Sequence, residues 1–347
     1  MKKILFLLII LQSNLSILHA QNLGIREIHH FFRPHLTGLG EWQADSQLKD
    51  LDSLSFGSNA IGFQASIPIK GRVGLDLNLG KLKNIFKVAT KGLKGLFETI
   101  PLDVSAYQIL WNVGGGVRNM DMSFDQDGHT AYYFTTGIEG VHIRPELGII
   151  FYNANLSFSE EGATFNQLKT RFTGFIGRAK MNKLASINYY GLAIHYRNNK
   201  VLPVPFAGTS FSIPPVFHLQ LILPYQAKLV YKKDKKIRVT LAATMSGFET
   251  GFENQHFFFE ENVRDRLHLS ATYLQATSTV QYKLSDKARL QMEIGTLLNQ
   301  NITFWDGRQK VNSFDLNNAF FYGVRYEVGL GDKSLVGNLL RKLDVDL

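Results

Sequence analysis

Along the C-terminal half of the chain, apolar and polar residues alternate with a period of two. Ile237, Val239, Leu241, Ala243 and Met245 fall on one face, and Lys236, Arg238, Thr240 and Thr244 on the other. Ala288, Leu290, Met292 and Ile294 likewise oppose Lys287, Arg289, Gln291 and Glu293. Phe320, Tyr322, Val324 and Tyr326 oppose Phe321, Gly323, Arg325 and Glu327, and upstream Tyr190, Leu192, Ile194 and Tyr196 oppose Gly191, Ala193, His195 and Arg197. Runs of about nine to twelve residues suit a tilted strand crossing a bilayer, whereas strands of soluble proteins average about five or six. The pattern predicts an all-β chain whose strands span a membrane.

Placed along the sequence, the predicted strands fall near 58–69, 71–80, 102–118, 130–143, 145–158, 168–178, 186–197, 203–211, 216–223, 225–232, 236–247, 265–283, 288–299 and 318–330. This is a transmembrane antiparallel up-and-down β-barrel of about 14 strands, with 12 possible, and an even number leaves both termini in the periplasm. Short connections such as "KKDK" and "LSDK" alternate with longer ones such as "NITFWDGRQKVNSFDL". The strands at Val216–Leu223 and Tyr225–Lys232 are short for a membrane span. One segment departs from the β period. In "KLKNIFKVATKGLKGLFETI" (81–100), Leu82, Ile85, Phe86, Ala89, Leu93, Leu96, Phe97 and Ile100 recur at helical spacing among lysines, predicting an amphipathic helix on the periplasmic side.

The N-terminus sets the compartment. "MKK", then the apolar stretch Ile4–Leu11, then Ala20, read as a secretory signal peptide over 1–20. The remainder divides into an N-terminal periplasmic extension (21–57), the barrel (58–330) and a C-terminal tail (331–347). Of the 347 residues none is Cys, so no disulfide framework or lipidated cysteine is available. The formal charge of +9 falls to +7 when Lys2 and Lys3 leave with the signal (9 − 2). No aromatic–basic motif accompanies that charge, which excludes nucleic acid as a partner.

With the strands laid out, "LPVPFAG", "PPVFHLQLILPYQAKLVYKKDKKIRVTLAA" and "VQYKLSDKARLQMEIGTLLNQNITF" form a recognisable set. Their features are Pro203 and Pro205 opening a strand, Pro224 between strands, and Tyr231 before a polar turn. Over about residues 58–330 the chain resembles an uncharacterised outer-membrane β-barrel family, domain of unknown function 6268. The resemblance implies an outer-membrane barrel and brings no catalytic residues with it. The chain departs from the usual strand-terminal aromatic by ending in "KLDVDL".

Few residues suggest chemistry. His268 and Ser270 share a strand face, as in outer-membrane lipolytic enzymes that pair a His with a Ser nucleophile, but no carboxylate is placed to orient the His. The alternative reading is such an enzyme acting outward at the lipid level. His29, His30 and His35 lack the spacing of a metal face. "VGGGV" (113–117) lacks the Lys-Ser/Thr of a phosphate loop and predicts a kink or bulge. Phe257–Phe259, flanked by Glu253 and Glu260, predicts a self-packed loop over the barrel.

The candidate lumen-lining residues are Lys228, Arg238, Arg289, Glu293, Arg325 and Glu327, expected to form an internal ion-pair network. The functional expectation is therefore a non-enzymatic barrel of the cell outer membrane, either a passive pore, a small-solute facilitator or a structural protein. It would need no cofactor or metal, and its partners would be outer-membrane lipids and the barrel-insertion machinery. A soluble periplasmic barrel binding a lipid is a further alternative.

Overall fold

The computed structural model describes residues 34–49, 51–77, 102–123, 128–144, 148–162, 166–181, 186–197, 200–213, 216–232, 234, 236–252, 255–256, 263–264 and 267–330. The predicted signal peptide, the 81–100 helix, the Phe257–Phe259 loop, His29, His30 and the 331–347 tail lie outside them.

The strands are β1 (His35–Leu48), β2 (Leu51–Leu77), β3 (Leu102–Met122), β4 (His129–Arg144), β5 (Gly148–Glu161) and β6 (Lys169–Met181). There follow β7 (Ser186–Arg197), β8 (Lys200–Ile213), β9 (Phe217–Leu223), β10 (Gln226–Tyr231) and β11 (Ile237–Gly251). The last are β12 (Gln255–His256), β13 (Val263–Arg264), β14 (Leu267–Lys283), β15 (Ala288–Asp306), β16 (Gln309–Leu316) and β17 (Ala319–Gly329).

Neighbouring strands pair antiparallel from β1 to β11, then through β14 and β15 to β17. Register from His35↔Gly329 to Gln43↔Phe321 joins β17 to β1 and closes the 14-strand barrel. Closure gives every wall strand a neighbour on both sides, which an open sheet in lipid would not achieve. Both ends of the ladder, Pro34 and Leu330, meet through a backbone hydrogen bond of 2.9 Å. That end is termed the terminal end, and the opposite one the loop end.

The outward face is apolar. Ile61, Phe63, Ile176, Leu223, Leu241, Met245, Met292 and Ile294 are all exposed, as on the lipid-facing band of an outer-membrane barrel. Aromatic rings flank it. Phe217 and Tyr231 lie 5.0 Å apart near the terminal end, with Tyr282 paired to Ile237 alongside. On the opposite wall Trp42 stacks flat on Tyr322 at 5.1 Å. Rings with a polar tip belong at a membrane interface. The two turns there are built differently. Asp234 Oδ1 accepts from the backbone N–H of Lys236 and Ile237, both at 2.7 Å, while Ser285 Oγ accepts from Lys287 and Ala288 at 3.3 and 3.0 Å.

The strand assignment differs from the sequence expectation at the N-terminus. Residues 35–48, expected in a loose extension, form β1, and the two strands expected at 58–69 and 71–80 are one long β2 as far as Leu77, with 78–80 outside the described residues. The two differences cancel in the strand count. β1 hides because two of its outward positions are Gly38 and Gly40. Trp42 folds over the second, within 2.6 Å of where a Cβ would stand. In β2, the Pro68–Gly71 stretch that suggests a turn is a bulge, with the β2–β3 register shifting between Pro68 and Lys70.

The "VGGGV" run is not the expected kink. Its register with β2 and β4 is unbroken through Gly114, Gly115 and Gly116. Gly116, with Gly62 on β2, makes room inside the barrel for the Tyr133 phenol. A Cβ on Gly116 would stand 2.6 Å from the Tyr133 hydroxyl and would run into the Ile61 carbonyl.

At the loop end the wall narrows. β9 and β10 stop low, whereas β11 runs on until Gly251 pairs in parallel with Glu160 of β5. The pairing β16–β1–β2–β3–β4–β5–β11–β14–β15–β16 therefore closes a second, nine-strand tier above the main barrel. Its interior is a packed apolar core that includes Leu48, Phe56, Met120, Phe252, Leu269 and Phe304, all at most 2% exposed. Burying such side chains contributes about 1.5–3 kcal/mol each. This core fills the nine-strand tier.

Candidate functional site

Below that core, strands β4 to β10 line a partly open cavity of about 530 Å³. The two-residue period points Phe151, Phe175, Tyr189 and Phe206 inward from β5, β6, β7 and β8, and these rings form its wall. The narrow backbone positions opposite them are glycines. A Cβ on Gly177 would stand 2.6 Å from Phe151 and 2.7 Å from Phe206. Toward the terminal end the cavity is floored by the apolar cluster of Val141, Ile149, Ala179, Ile187 and Tyr189. The Tyr189 hydroxyl is satisfied there by Ser210 Oγ at 3.0 Å.

Polar groups enter at a few points. Glu139, Asn153, Arg171, His195 and Gln220 line the cavity among the rings. Arg171 donates to the Gly247 carbonyl at 3.4 Å, tying β6 to the free side of β11. At the tip of the β9–β10 hairpin, Tyr225 crosses the cavity, its hydroxyl 3.1 Å from His195 Nε2 and its ring edge-on to Phe206. A mostly apolar pocket with a few convergent polar groups suits a small, largely apolar solute.

The residues singled out from sequence fall elsewhere. Arg325 lies 3.2 Å from Glu41 and 3.8 Å from Glu293, and Arg118 lies 3.7 Å from Glu41. Gln275 donates to Glu293 at 3.2 Å, and Arg289 lies 3.8 Å from Glu327. These charges brace β1, β3, β15 and β17, across the barrel from the cavity. Lys228 pairs with Gln220 of β9 and Ala242 of β11, and Arg238 with Gln281 near the terminal end. Glu41 was hidden with β1, and Arg118 sits on the face that Gly114 and Gly116 define.

Removing Arg325 while its two carboxylate partners remain should destabilise the barrel. For Arg325→Met the expected loss is about 1–3 kcal/mol, below the range for a fully buried pair because Arg325 is partly solvated. Pairing it with Glu293→Gln should recover about half of that loss. Thermal melts in detergent, arranged as a double-mutant cycle, measure both, and a strictly additive pair would show that the groups do not interact.

His268 and Ser270 are buried, at 4% and 1% exposure, and not presented outward to lipid as the alternative enzyme reading requires. Lys169 Nζ donates to His268 Nε2 at 2.8 Å, and the imidazole stacks on Trp305. Ser270 Oγ makes no hydrogen bond, so the contact that would activate a nucleophile is not formed. The cause is the narrowing of the wall, which carries β11 and β14 beneath the β5–β6 hairpin. A Cβ on Gly251 would run into the Gln167 carbonyl.

No protein-family model matches the chain, and no curated protein matches it. Among solved structures it is similar to the β domain of the Bordetella autotransporter BrkA, at 11% identity over 85% of this chain and 98% of that one, TM-score 0.31. It is similar to an outer-membrane channel from Pseudomonas putida F1, at 9% identity over 86% of this chain and 96% of that one, TM-score 0.39. The translocator domain of the autotransporter NalP from Neisseria meningitidis shares 7% identity over 92% of this chain and 98% of that one, TM-score 0.34. With its closed 14-strand ladder and apolar outer face, the architecture is that of an outer-membrane β-barrel.

Proposed function

We propose that the protein resides in the outer membrane, terminal end toward the periplasm, as a non-catalytic facilitator that holds a small solute in an occluded lumen. The observation that carries this reading is the cavity of about 530 Å³ directly beneath the apolar core at the loop end. An open pore would keep a polar path along the barrel axis. Here the loop end is packed with residues such as Phe56, Phe252 and Phe304, which ions do not cross. Lipids around the apolar band and the barrel-insertion machinery during biogenesis are the partners this reading implies.

Planar-bilayer recording tests it together with a binding measurement. The purified barrel is expected to give no steady open-channel current, and to enhance the fluorescence of N-phenyl-1-naphthylamine saturably. Phe206→Arg, which places a charge among the cavity rings, should weaken that binding by about tenfold or more. A steady ohmic conductance from the unmodified protein would overturn the occluded reading.

A further inference from the structure

The barrel wall has a gap. Pairing between β8 and β9 stops at Ala207↔Leu223, although β8 continues to Lys200. Pairing between β10 and β11 stops at Gln226↔Thr244, although β11 continues to Gly251. Among the described residues, the tip of the β9–β10 hairpin is what stands between these two edges, held by Met245 N–H donating to the Tyr225 carbonyl at 3.1 Å. The gap is closed above where Arg171 reaches the Gly247 carbonyl.

Its depth follows from strand length. Seven residues of β9, at about 3.3 Å each and tilted near 40°, rise about 18 Å along the membrane normal, short of an apolar band of about 25 Å. The twelve residues of β7 rise about 30 Å by the same arithmetic. The hairpin tip therefore ends inside the hydrocarbon, and the gap opens onto acyl chains. Its rim is apolar and uncovered: Val201 is 64% exposed, Leu202 59%, Leu223 65% and Met245 59%. The ladder pairs Leu202 with His195, on the inward side, so its exposure marks wall that is missing beside it.

A bare strand edge in lipid is costly, since its N–H and C=O groups find no partner. The sequence answers that cost at this place. Pro203 and Pro205 lie two residues apart in the unpaired stretch of β8, so they point to the same side. Proline is confined to edges within a sheet, where its missing N–H removes a donor that would otherwise be exposed. Two such residues on one free edge indicate an edge built to remain unpaired.

We propose that this gap is a lateral portal, through which a small apolar molecule with at most one hydrogen-bonding end exchanges between the cavity and the lipid acyl region. Behind the rim stand Phe206 and the Tyr225–His195 pair, so a solute entering from lipid meets the aromatic wall first and the polar groups afterwards. Tyr225 is the group that must swing aside. The inference rests on the occluded-cavity reading given above.

The absence of Cys from the chain makes the portal testable. In full-length Leu202→Cys/Met245→Cys protein in lipid nanodiscs, a long-arm, reductively cleavable bis-maleimide should bridge the rim. N-phenyl-1-naphthylamine exchange should then slow by about tenfold or more with its equilibrium affinity nearly unchanged, and reduction should restore it. Leu202→Cys carrying a single bulky maleimide is a second block that needs no bridge. Unchanged exchange in both blocked forms overturns the portal while leaving the cavity reading intact. No saturable probe binding by the unmodified protein removes both.

Discussion

Gly116→Val should prevent the barrel from forming. Gly116 lies in mid-strand on β3, paired with Gly62 on β2 and Tyr133 on β4. A Cβ there collides with the Ile61 carbonyl, stands 2.6 Å from the Tyr133 hydroxyl and lies 2.7 Å from the Gly62 Cα. Two of the three obstacles are backbone in a closed ladder, which cannot shift without disturbing both neighbouring strands. Overpacking a tight site costs about 1–3 kcal/mol even when side chains can yield, and here the cost should lie at or above the top of that range. The expected outcome is loss of the heat-modifiable gel band. Gly38→Val, where a Cβ meets nothing within 4 Å, should retain it. Gly62→Ala should sit between the two and improve with Tyr133→Phe, since its tightest obstacle is the phenol oxygen. Equal folding of the Gly116 and Gly38 variants would show that Tyr133 does not fill this space.

The glycine pocket also marks what a one-dimensional reading can reach. Strands such as β7, β11, β15 and β17 declare themselves, because one face must be apolar for lipid while the other is not. β1 does not, since Gly38 and Gly40 replace the expected outward side chains and Trp42 covers one of them from two residues away. Pro68–Gly71 has turn composition, and only the register with β3 shows it as a bulge within one strand. The cavity was beyond reach for a related reason. Its rings come from four strands and meet through strand stagger, which spacing within one strand does not encode. What the sequence does show is the pair of signs that the wall is incomplete: two strands too short to span, and Pro203 and Pro205 beside them. Each looks like an irregularity alone. Placed on adjacent strands by the ladder, they describe one opening.

Phe252→Ala/Phe304→Ala should make the barrel conduct. The nine-strand tier is closed by very little backbone, with Gly251↔Glu160 the pairing that joins β11 to β5. The Phe252 N–H donating to the Leu267 carbonyl at 2.9 Å adds a second tie, to β14. What keeps the tier shut is its core, where Phe252 and Phe304 lie stacked at 6.2 Å and are 1% and 2% exposed. Phe252 also meets His129 edge-on at 5.4 Å, which joins it to β4. Truncating a buried Phe costs about 3–5 kcal/mol, and two that touch cost less than twice that. The loss falls on the tier, while the ladder below keeps all its pairing, so opening should be local. Planar bilayers should show discrete current steps, against none expected from the unmodified protein. Hydrogen exchange should accelerate at Leu267–Ala271 and at Ile302–Phe304 while Ile237–Thr244 stays protected. Accelerated exchange without current would mean that the apolar core is not the barrier to ions. Protection lost equally in both regions would mean that tier and barrel unfold as one unit, and that the core at the loop end is part of the same cooperative structure as the wall beneath it.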